Sequence, residues 1–308
     1  MRGELKQQEL MKNIADNVVG MMKEHGADWA KPWRKAVGAT GEPLSAKKRH
    51  YTGINRMNLG LVIALQGYSS PVFGTFKQWK SLGAKVKKGS SGIPVVFYSQ
   101  IKIKDKQSDE DRMVPMLKAF YVFNADQVEG WDGSWIKDQA PEDQAWEDAI
   151  DADALIEACG ATFHHTQGNS AYYNRGSDSV TVPLRSQFKD ASGYYGTAFH
   201  ELVHWTGHKS RLDREFGNRF GDAKYAMEEL VAELGSVMLS IISKVDVDPA
   251  PDHAKYLNSW IRMLGDHPNA IIKATSSAQK ASEYILQSSK AAYRLILASN
   301  KSGEEIKG

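Results

Sequence analysis

The chain has one cysteine, Cys159, among 308 residues. A single thiol excludes an intramolecular disulfide framework and a zinc site built from several cysteines. A lone cysteine suits a reducing compartment and a small apolar position inside a core. We therefore expect Cys159 to be buried and the protein to be cytoplasmic.

Long apolar runs are missing as well. No stretch reaches the ~18 uncharged apolar residues of a membrane-spanning helix, and the first nine residues lack the apolar segment of a signal peptide. The composition is nevertheless 42% hydrophobic, which is enough for a sizeable core. We expect a protein without a membrane partner and, because 308 residues is long for one core, two domains.

Charge is distributed unevenly along the chain. Residues 1–130 contain 21 Lys and Arg against 12 Asp and Glu, whereas residues 131–160 contain one against nine, and the remainder is nearly balanced. Such asymmetry is typical of a basic domain that meets a polyanion. We predict a basic domain over residues 1–130, an acidic linker over 131–150 and a second domain over 151–308.

The segment His200–His204 carries the most specific motif, with histidines four residues apart and Glu201 directly after the first. Side chains at that spacing project from one face of a helix, so both imidazoles can reach one cation. The glutamate between them is placed to act as general base, which makes the set a signature of zinc hydrolases. Zinc is the expected ion, and manganese would fit the same kinds of ligand.

A third ligand is needed if one position on the ion is to stay open. The downstream candidates are His208, Asp213, Glu228, Glu229 and Glu233. Glu229 and Glu233 share one stripe of a predicted helix, so Glu229 can bind the ion while Glu233 holds a ligating histidine through its other ring nitrogen. Glu228 has no acidic partner four residues on, and we interpret it as part of a solvated helix face.

The basic half combines aromatic and cationic residues. A predicted strand over residues 93–104 would pack Val95 and Phe97 and expose Tyr98 and Lys102. Cations that follow phosphates and rings that stack on unpaired bases are typical of single-stranded nucleic acid binding. The residues assigned to such a surface are Trp33, Arg34, Lys47, Lys48, Arg49, Tyr51, Lys77, Trp79, Lys85, Lys87, Lys88, Tyr98 and Lys102.

The overall expectation is an α+β fold in both domains. The first domain would pack helices, one of them near Leu10–Met22, on a small antiparallel sheet. The second would set two metal-binding helices against a sheet whose edge strand is Asp178–Pro183, since a proline suits an edge. An edge strand beside the metal could pair with an extended peptide, although an ordinary edge strand is the alternative.

Several segments of the first half resemble one family, the ArdC-type antirestriction proteins of conjugative plasmids, whose amino-terminal domain is shared with TraC-type plasmid primases. The segments in question are Pro32–Arg34, Tyr51–Asn55, Phe73–Trp79, Val86–Gly89 and Val122–Asn124. In the second half, His200–His208, Arg211–Arg214 and Tyr225–Leu234 resemble that family's carboxy-terminal metallopeptidase domain.

This resemblance implies a protein that binds single-stranded DNA through its first domain and protects an incoming plasmid from host restriction. It also implies a zincin-like second domain, similar to SprT-type proteases that act on DNA–protein crosslinks. Two hypotheses remain open. In one the protein shields DNA and carries a peptidase-like domain, and in the other it is an active DNA-directed metalloprotease that cleaves a DNA-bound protein.

Overall fold

The computed structural model describes residues 2–104, 111–133, 152–217, 223–249 and 255–304. The chain divides into two compact units, the first of Met1–Val18, Lys31–Ser134 and His267–Asn269, and the second of Val19–Ala30, Trp135–Asp266 and Ala270–Gly308. Both units are α+β, as predicted. The acidic linker over 131–150 lies largely outside the described residues, and the three segment boundaries stay a prediction.

The amino-terminal part of the chain contains four helices and two small sheets within the described residues. The elements are α1 (Arg2–His25), α2 (Lys31–Thr40), β1 (Leu44–Ser45), α3 (Gly53–Gln66), β2 (Val72–Gly74), α4 (Phe76–Ser81), β3 (Lys85–Val86), β4 (Ile93–Lys104), β5 (Asp111–Asn124) and β6 (Val128–Glu129). One sheet has the order β1-β2-β5-β4, and the other pairs β3 with β6. All pairs are antiparallel except β1 with β2.

Local sequence explains where these helices form. Along α1 the residues Ile14, Val18 and Met22 recur at helical spacing and are buried, as the periodicity predicts. Helix α4 begins at a capping box, in which the Thr75 hydroxyl accepts from the Gln78 backbone N–H and the Gln78 side chain accepts from that of Thr75.

Two asparagines attach α3 to the edge strand β4. Asn55 donates to the Val96 carbonyl at 2.6 Å and accepts from the Val96 N–H at 2.8 Å, and Asn58 donates to the Pro94 carbonyl at 3.0 Å. These side chains satisfy backbone groups that an edge strand leaves unpaired. Strand β4 is thereby held against α3 at Val96, and its pleat is fixed there.

Helix α2 packs on α3 through a tryptophan that lies against a glycine. A Cβ added at Gly60 would lie 2.3 Å from the indole nitrogen of Trp33, which leaves no room for a side chain. Trp33 is fully buried in this contact. The Trp33 ring therefore belongs to the core of the first unit.

Phe97 differs from the sequence prediction. The alternation along β4 predicts a packed side chain, but Phe97 is 58% exposed while Val95 on the same face is buried. The hydrophobic cluster formed by Leu59, Phe73 and Val95 covers only the first residues of the strand. Phe97 and the residue paired with it, Lys118, lie beyond this cluster on the same face, and both are exposed.

The second unit contains helices around a three-stranded sheet. Its elements are α5 (Ala152–Ala158), β7 (Thr162–Thr166), β8 (Tyr172–Asn174), β9 (Ser179–Pro183), α6 (Ala191–Thr206), α7 (Ala223–Ser243), α8 (Leu257–Asp266) and α9 (Ala270–Glu304). The sheet order is β7-β9-β8, with β9 parallel to β7 and antiparallel to β8. Cys159 is buried, as predicted.

The prediction that Asp178–Pro183 forms an edge was wrong. Strand β9 is central, pairs on both sides, and all five of its residues are buried. Its proline faces the end of β7, where Thr166 is the partner residue, so it occupies the last ladder position and interrupts no further pairing. Strand β7 pairs with all five residues of β9 and strand β8 with Ser179–Thr181, so β9 offers no free edge to a peptide over those three residues.

Helices α6 and α7 approach closely. A Cβ added at Gly235 would lie 2.6 Å from a methyl group of Val203, so the glycine permits this approach. Helix α7 is buried along most of its length and brings three glutamates to the side of α6, namely Glu228, Glu229 and Glu233. Within the described residues, no helix is both long and apolar enough to cross a bilayer.

Candidate metal centre

Helix α6 presents the histidine motif from a buried setting. Its amino terminus is capped by Asp190, whose carboxylate accepts from the Gly193 N–H at 3.1 Å. His200, Glu201 and His204 are each less than one-tenth exposed. The Nε2 atoms of the two histidines lie 3.2 Å apart, so the four-residue spacing brings both imidazoles to one point, as predicted.

Glu229 completes a group of three. One of its carboxylate oxygens lies 3.4 Å from Nε2 of His200, and the other lies 3.6 Å from Nε2 of His204. Ligands in a tetrahedral zinc site, at about 2.0–2.2 Å from the ion, are separated by roughly 3.3–3.5 Å. The three side chains, each offering a ligand atom within 4.8 Å of the others, fit one divalent ion.

Glu228 was wrongly interpreted as a solvated residue. It is only 4% exposed, and its carboxylate accepts from Nδ1 of His204 at 3.1 Å. Because a carboxylate only accepts, this bond places the proton of His204 on Nδ1 and leaves Nε2 free for a metal. Glu228 thus holds a histidine in its binding tautomer, the role that the sequence analysis gave to Glu233.

Arg214 fixes Glu228 in turn. Its guanidinium donates to both carboxylate oxygens of Glu228, at 2.7 and 3.0 Å, and also to the Val203 carbonyl and the Thr206 hydroxyl near the end of α6. One arginine therefore satisfies helix-end acceptors and compensates a buried carboxylate. The sequence analysis missed this residue as part of the site.

Glu233 lies on the other side of the pair. Its carboxylate is 3.9 Å from Nδ1 of His200, which is longer than a hydrogen bond, and Nδ1 has no hydrogen-bond partner among the described residues. Glu233 is close enough to orient His200 after a small shift. Its assignment as the anchor of a ligating histidine stays a prediction.

The electrostatics of the group follow from burial and close charges. Burial lowers the pKa of His200, but its bond with Glu229 and the charges of Glu201 and Glu233 raise it to about 9. Burial raises the pKa of Glu201 above that of an ordinary glutamate. Burial also acts to raise the pKa of Glu229, but the His200 bond, the charges of His204 and His200 and the Tyr225 bond together outweigh it, and the net direction is down. A raised pKa makes the Glu201 carboxylate a stronger proton acceptor than that of an exposed glutamate, which suits a general base.

Tyrosine hydroxyls can stabilise a reaction intermediate, and five tyrosines of the second unit differ in where their hydroxyls lie. The Tyr225 hydroxyl bonds Glu229 and lies 3.2 Å from the Tyr256 hydroxyl. The hydroxyls of the others bond elsewhere or are not placed at the ligands: Tyr173 bonds Asp178, Tyr194 bonds His165, Tyr195 bonds Asp153, and Tyr172 is exposed. The N–H of Tyr173 also donates to Glu201.

Two other ligand candidates lie outside the group of three. His208 bonds the Ser210 hydroxyl through Nδ1 at 2.8 Å, and Asp213 is exposed.

In the first unit, the prediction that two tryptophans stack on bases was wrong. Trp33 and Trp79 are fully buried, and Trp79 donates its indole N–H to the Phe123 carbonyl. Tyr51 packs edge-on against Phe73, and burial raises its pKa to about 12. These rings lie in or against the core, so they offer no open face to a base.

The predicted cations are better placed than the rings. Among these predicted cations, every lysine whose side chain is described is exposed, as is Arg49, while Arg34 is half-buried. These exposed residues are Lys47, Lys48, Arg49, Lys77, Lys85, Lys87 and Lys88. The side chains of Tyr98 and Lys102 lie outside the described part of β4. Their assignment to a DNA surface stays a prediction.

Comparison with known proteins supports the division seen in the fold. A family model for the N-terminal domain of the anti-restriction factor ArdC matches residues 8–123, and one for a zincin-like metallopeptidase matches residues 150–277. The crystal structure of the antirestriction ArdC protein from the R388 plasmid, in its metal-free form, is 35% identical with a TM-score of 0.73, covering 91% of this chain and 98% of that one. The chain belongs to the ArdC family of antirestriction proteins.

The Mn(II)-bound structure of that ArdC protein is 33% identical, with a TM-score of 0.72, and the match covers 91% of this chain and 97% of the other. Together with the zincin-like domain and the geometry of the three ligands, it supports a divalent ion at this centre.

Two further relatives differ in length. The uncharacterized protein y4eC of Sinorhizobium fredii is 32% identical over 90% of this chain and 91% of its own. A DNA primase TraC of Escherichia coli is 34% identical over 89% of this chain, but the match spans only 19% of the primase. This ArdC-family chain therefore corresponds to a minor part of that primase.

Proposed function

We propose that this chain is a cytoplasmic, single-stranded-DNA-binding antirestriction protein that protects incoming conjugative plasmid DNA and carries a metal-dependent peptidase-like domain. The observation that carries the proposal is the convergence of His200, His204 and Glu229 beside the buried Glu201, in a chain of the ArdC family. The exposed lysines of the first unit support the DNA-binding part.

The residues of the second unit suggest how hydrolysis would proceed. His200, His204 and Glu229 would hold the ion, which we expect to be zinc, with manganese as the alternative. A divalent ion held there polarises a carbonyl and favours ionisation of water. Glu201 accepts the proton of the attacking water and can return it to the leaving amine.

The DNA-binding part rests on charge. The turn at Lys47–Arg49 and the segment Lys85–Lys88 present cations to solvent. Cations of this kind displace counterions from phosphates, so the affinity should fall steeply as salt is raised. Single-stranded specificity requires more than charge, since phosphates are common to all forms of DNA.

A second candidate function is favoured by Glu201. A site that only stabilises the fold would need three ligands and no base, yet a buried glutamate with a raised pKa lies directly beside them. The alternative is therefore an active metalloprotease that is brought to DNA and cleaves a protein bound there. Its products would be peptide fragments.

Glu201→Gln in the full-length chain separates the two functions. The amide cannot act as a base, but the ligands and the DNA-binding surface are unchanged, so shielding predicts full protection of incoming DNA in a conjugation assay with a restricting host. Proteolysis of a DNA-coating protein, if it occurs, should fall by roughly 10²-fold or more. The matched control is Glu157→Gln, an exposed glutamate on α5.

Loss of protection by Glu201→Gln would establish hydrolysis as the mechanism, provided that metal content and binding to single strands are unchanged. If the unaltered chain binds neither single-stranded DNA nor a divalent ion, the proposal fails in both parts.

A further inference from the structure

Three of the four rings that the sequence suggests for base stacking lie in or against the core, and the side chain of the fourth, Tyr98, lies outside the described residues. Trp33 and Trp79 have no exposed surface, and Tyr51 packs on Phe73. Cations alone bind phosphates and do not distinguish a single strand from a duplex. A surface selective for unpaired bases needs open aromatic faces.

Such faces lie on the β4–β5 hairpin. Phe97 is 58% exposed and Phe120 is 43% exposed. The comparably exposed Phe76 lies outside the hairpin, and Tyr121, which is 62% exposed and pairs with Pro94, lies on its other face. The register pairs Phe97 with Lys118 and Val95 with Phe120. Opposed residues of an antiparallel pair point to the same face, and so do residues two apart along a strand. Phe97, Lys118 and Phe120 therefore share one face.

The arrangement of these three residues suits a nucleic acid strand. Phe97 and Phe120 are diagonal neighbours, whose Cα atoms lie about 7–8 Å apart in a sheet. Lys118 is exposed directly opposite Phe97 and next but one to Phe120. One cation thus lies beside two open rings, and one strand can contact all three.

The hairpin is held in this orientation by α3. Asn55 makes two hydrogen bonds to the backbone of Val96, the residue before Phe97. These bonds fix the pleat of β4 where the core ends, so that Phe97 remains on the open face. Because these bonds hold the strand beside Phe97 without a ligand, less conformational entropy is lost on binding than for an unattached strand.

The charge of the chain around this face favours a polyanionic partner. Between Tyr51 and Lys104 the chain contains eight lysines and arginines and no aspartate or glutamate. An apolar protein partner would have to cover this excess of positive charge, whereas a polyanion gains from it. The partner must also offer flat apolar rings, which a single strand does and the closed stack of a duplex does not.

We propose that Phe97 and Phe120 form the base-stacking platform of this protein, with Lys118 contacting the phosphate between two stacked bases. The inference rests on the proposed single-strand binding and specifies the residues that make it selective. The predicted tryptophans contribute to the platform only by supporting the fold.

The test uses the whole chain, a fluorescent oligothymidine of about 20 nucleotides and a duplex of the same length, with binding followed by anisotropy at several salt concentrations. Phe97→Leu with Phe120→Leu keeps apolar side chains but removes both rings, and we expect the affinity to fall by about fivefold or more for each ring lost. The slope of affinity against salt should be unchanged, because no phosphate contact is removed.

Two control variants accompany the double substitution. Phe76→Leu alters a phenylalanine on α4 that is 56% exposed but lies outside the hairpin, and it should bind like the unaltered chain. Lys118→Gln should weaken binding and reduce the salt slope by about one. Circular dichroism should show the same fold for all of them, since the substituted side chains are exposed.

The outcomes separate the platform from the proposed function. If the unaltered chain binds the oligothymidine and the double variant binds equally well, the platform is refuted while single-strand binding stands. If the double variant loses duplex and single-strand binding in equal measure, the rings support the surface without stacking, and the platform is again refuted. If the unaltered chain does not bind, the proposed DNA binding itself fails.

Discussion

The metal-binding helices and the basic sheet differ in what fixes their functional side chains. In the second unit, His204 is held by Glu228, which is held by Arg214, and all three are buried or nearly so. In the first unit, the exposed residues Phe97 and Lys118 depend on where the core ends. A chemical site is thus defined by short spacings and local contacts, whereas a binding surface is defined by what the fold leaves uncovered.

The largest expected effect concerns the third ligand. Glu229→Ala should abolish stoichiometric binding of zinc or manganese, because only two imidazoles remain to hold the ion. Isothermal titration of the metal-free protein, with elemental analysis after dialysis, measures the loss. Glu157→Ala serves as the exposed control. If Glu229→Ala retains one tightly bound ion, another residue completes the site. The local contacts described above would then not define it.

A smaller effect on metal affinity is expected from a substitution at Glu228. Glu228→Gln should leave the three ligands in place but weaken metal binding by roughly 10–100-fold, because the His204 tautomer is no longer fixed by a charged acceptor. The same titration measures this, and the unfolding midpoint without metal shows whether the variant is folded. Arg214→Lys should fall between Glu228→Gln and the unaltered chain, since lysine keeps the charge but loses the bidentate bond. Unchanged affinity in both variants would refute the positioning role.

The smallest effect tests a contact in the second unit that is removed from the ligands. The Arg211 bond lowers the pKa of Asp178 to about 2. A carboxylate with a lowered pKa stabilises the fold above its unfolded pKa, and this contribution is lost as pH falls from about 4 towards 2. Asp178→Asn should therefore reduce the free energy of unfolding by about 1 kcal/mol or less at pH 6, since Asp178 is partly exposed to solvent.

Urea denaturation of both proteins at pH 6 and pH 3 checks this dependence. The difference in free energy of unfolding between the unaltered chain and Asp178→Asn should be smaller at pH 3 than at pH 6. A difference that stays constant would mean that Asp178 acts through packing or backbone conformation and not through its charge.

The contrast between the two regions also explains how far the sequence could be interpreted. Helical spacing predicted that His200 and His204 would meet, because α-helical geometry determines which residues share a face, and Glu229 was assigned as the third ligand from the stripe that it shares with Glu233. The period of the apolar residues likewise predicted the strand Ile93–Lys104 and the helix around Ile14. The spacing of side chains along a helix or strand depends only on local backbone geometry, so it is the same in the folded protein.

Tertiary neighbours were harder to predict. Glu228 was misinterpreted because its partner, Arg214, comes from a loop and not from the same helix face. The position of Arg214, shortly after the helix that carries the two histidines, could have indicated that it pairs with a buried glutamate. The strand Ser179–Pro183 was misplaced because a terminal proline is compatible with an edge and also with the end of a central strand.

The aromatic residues show the same limit. Trp33 and Phe97 both lie in amphipathic segments, and nothing in the local pattern distinguishes the buried ring from the open one. The difference comes from how far the core reaches, which depends on the volumes of all its residues.

The contact between the Trp33 indole and Gly60 of helix α3 has a consequence for how sequences of the family can diverge. Because any side chain at Gly60 would collide with Trp33, neither position can change independently without loss of packing. Homologues that have lost the tryptophan should be free to carry alanine or a larger residue opposite it, and homologues that keep it should inherit the glycine unchanged.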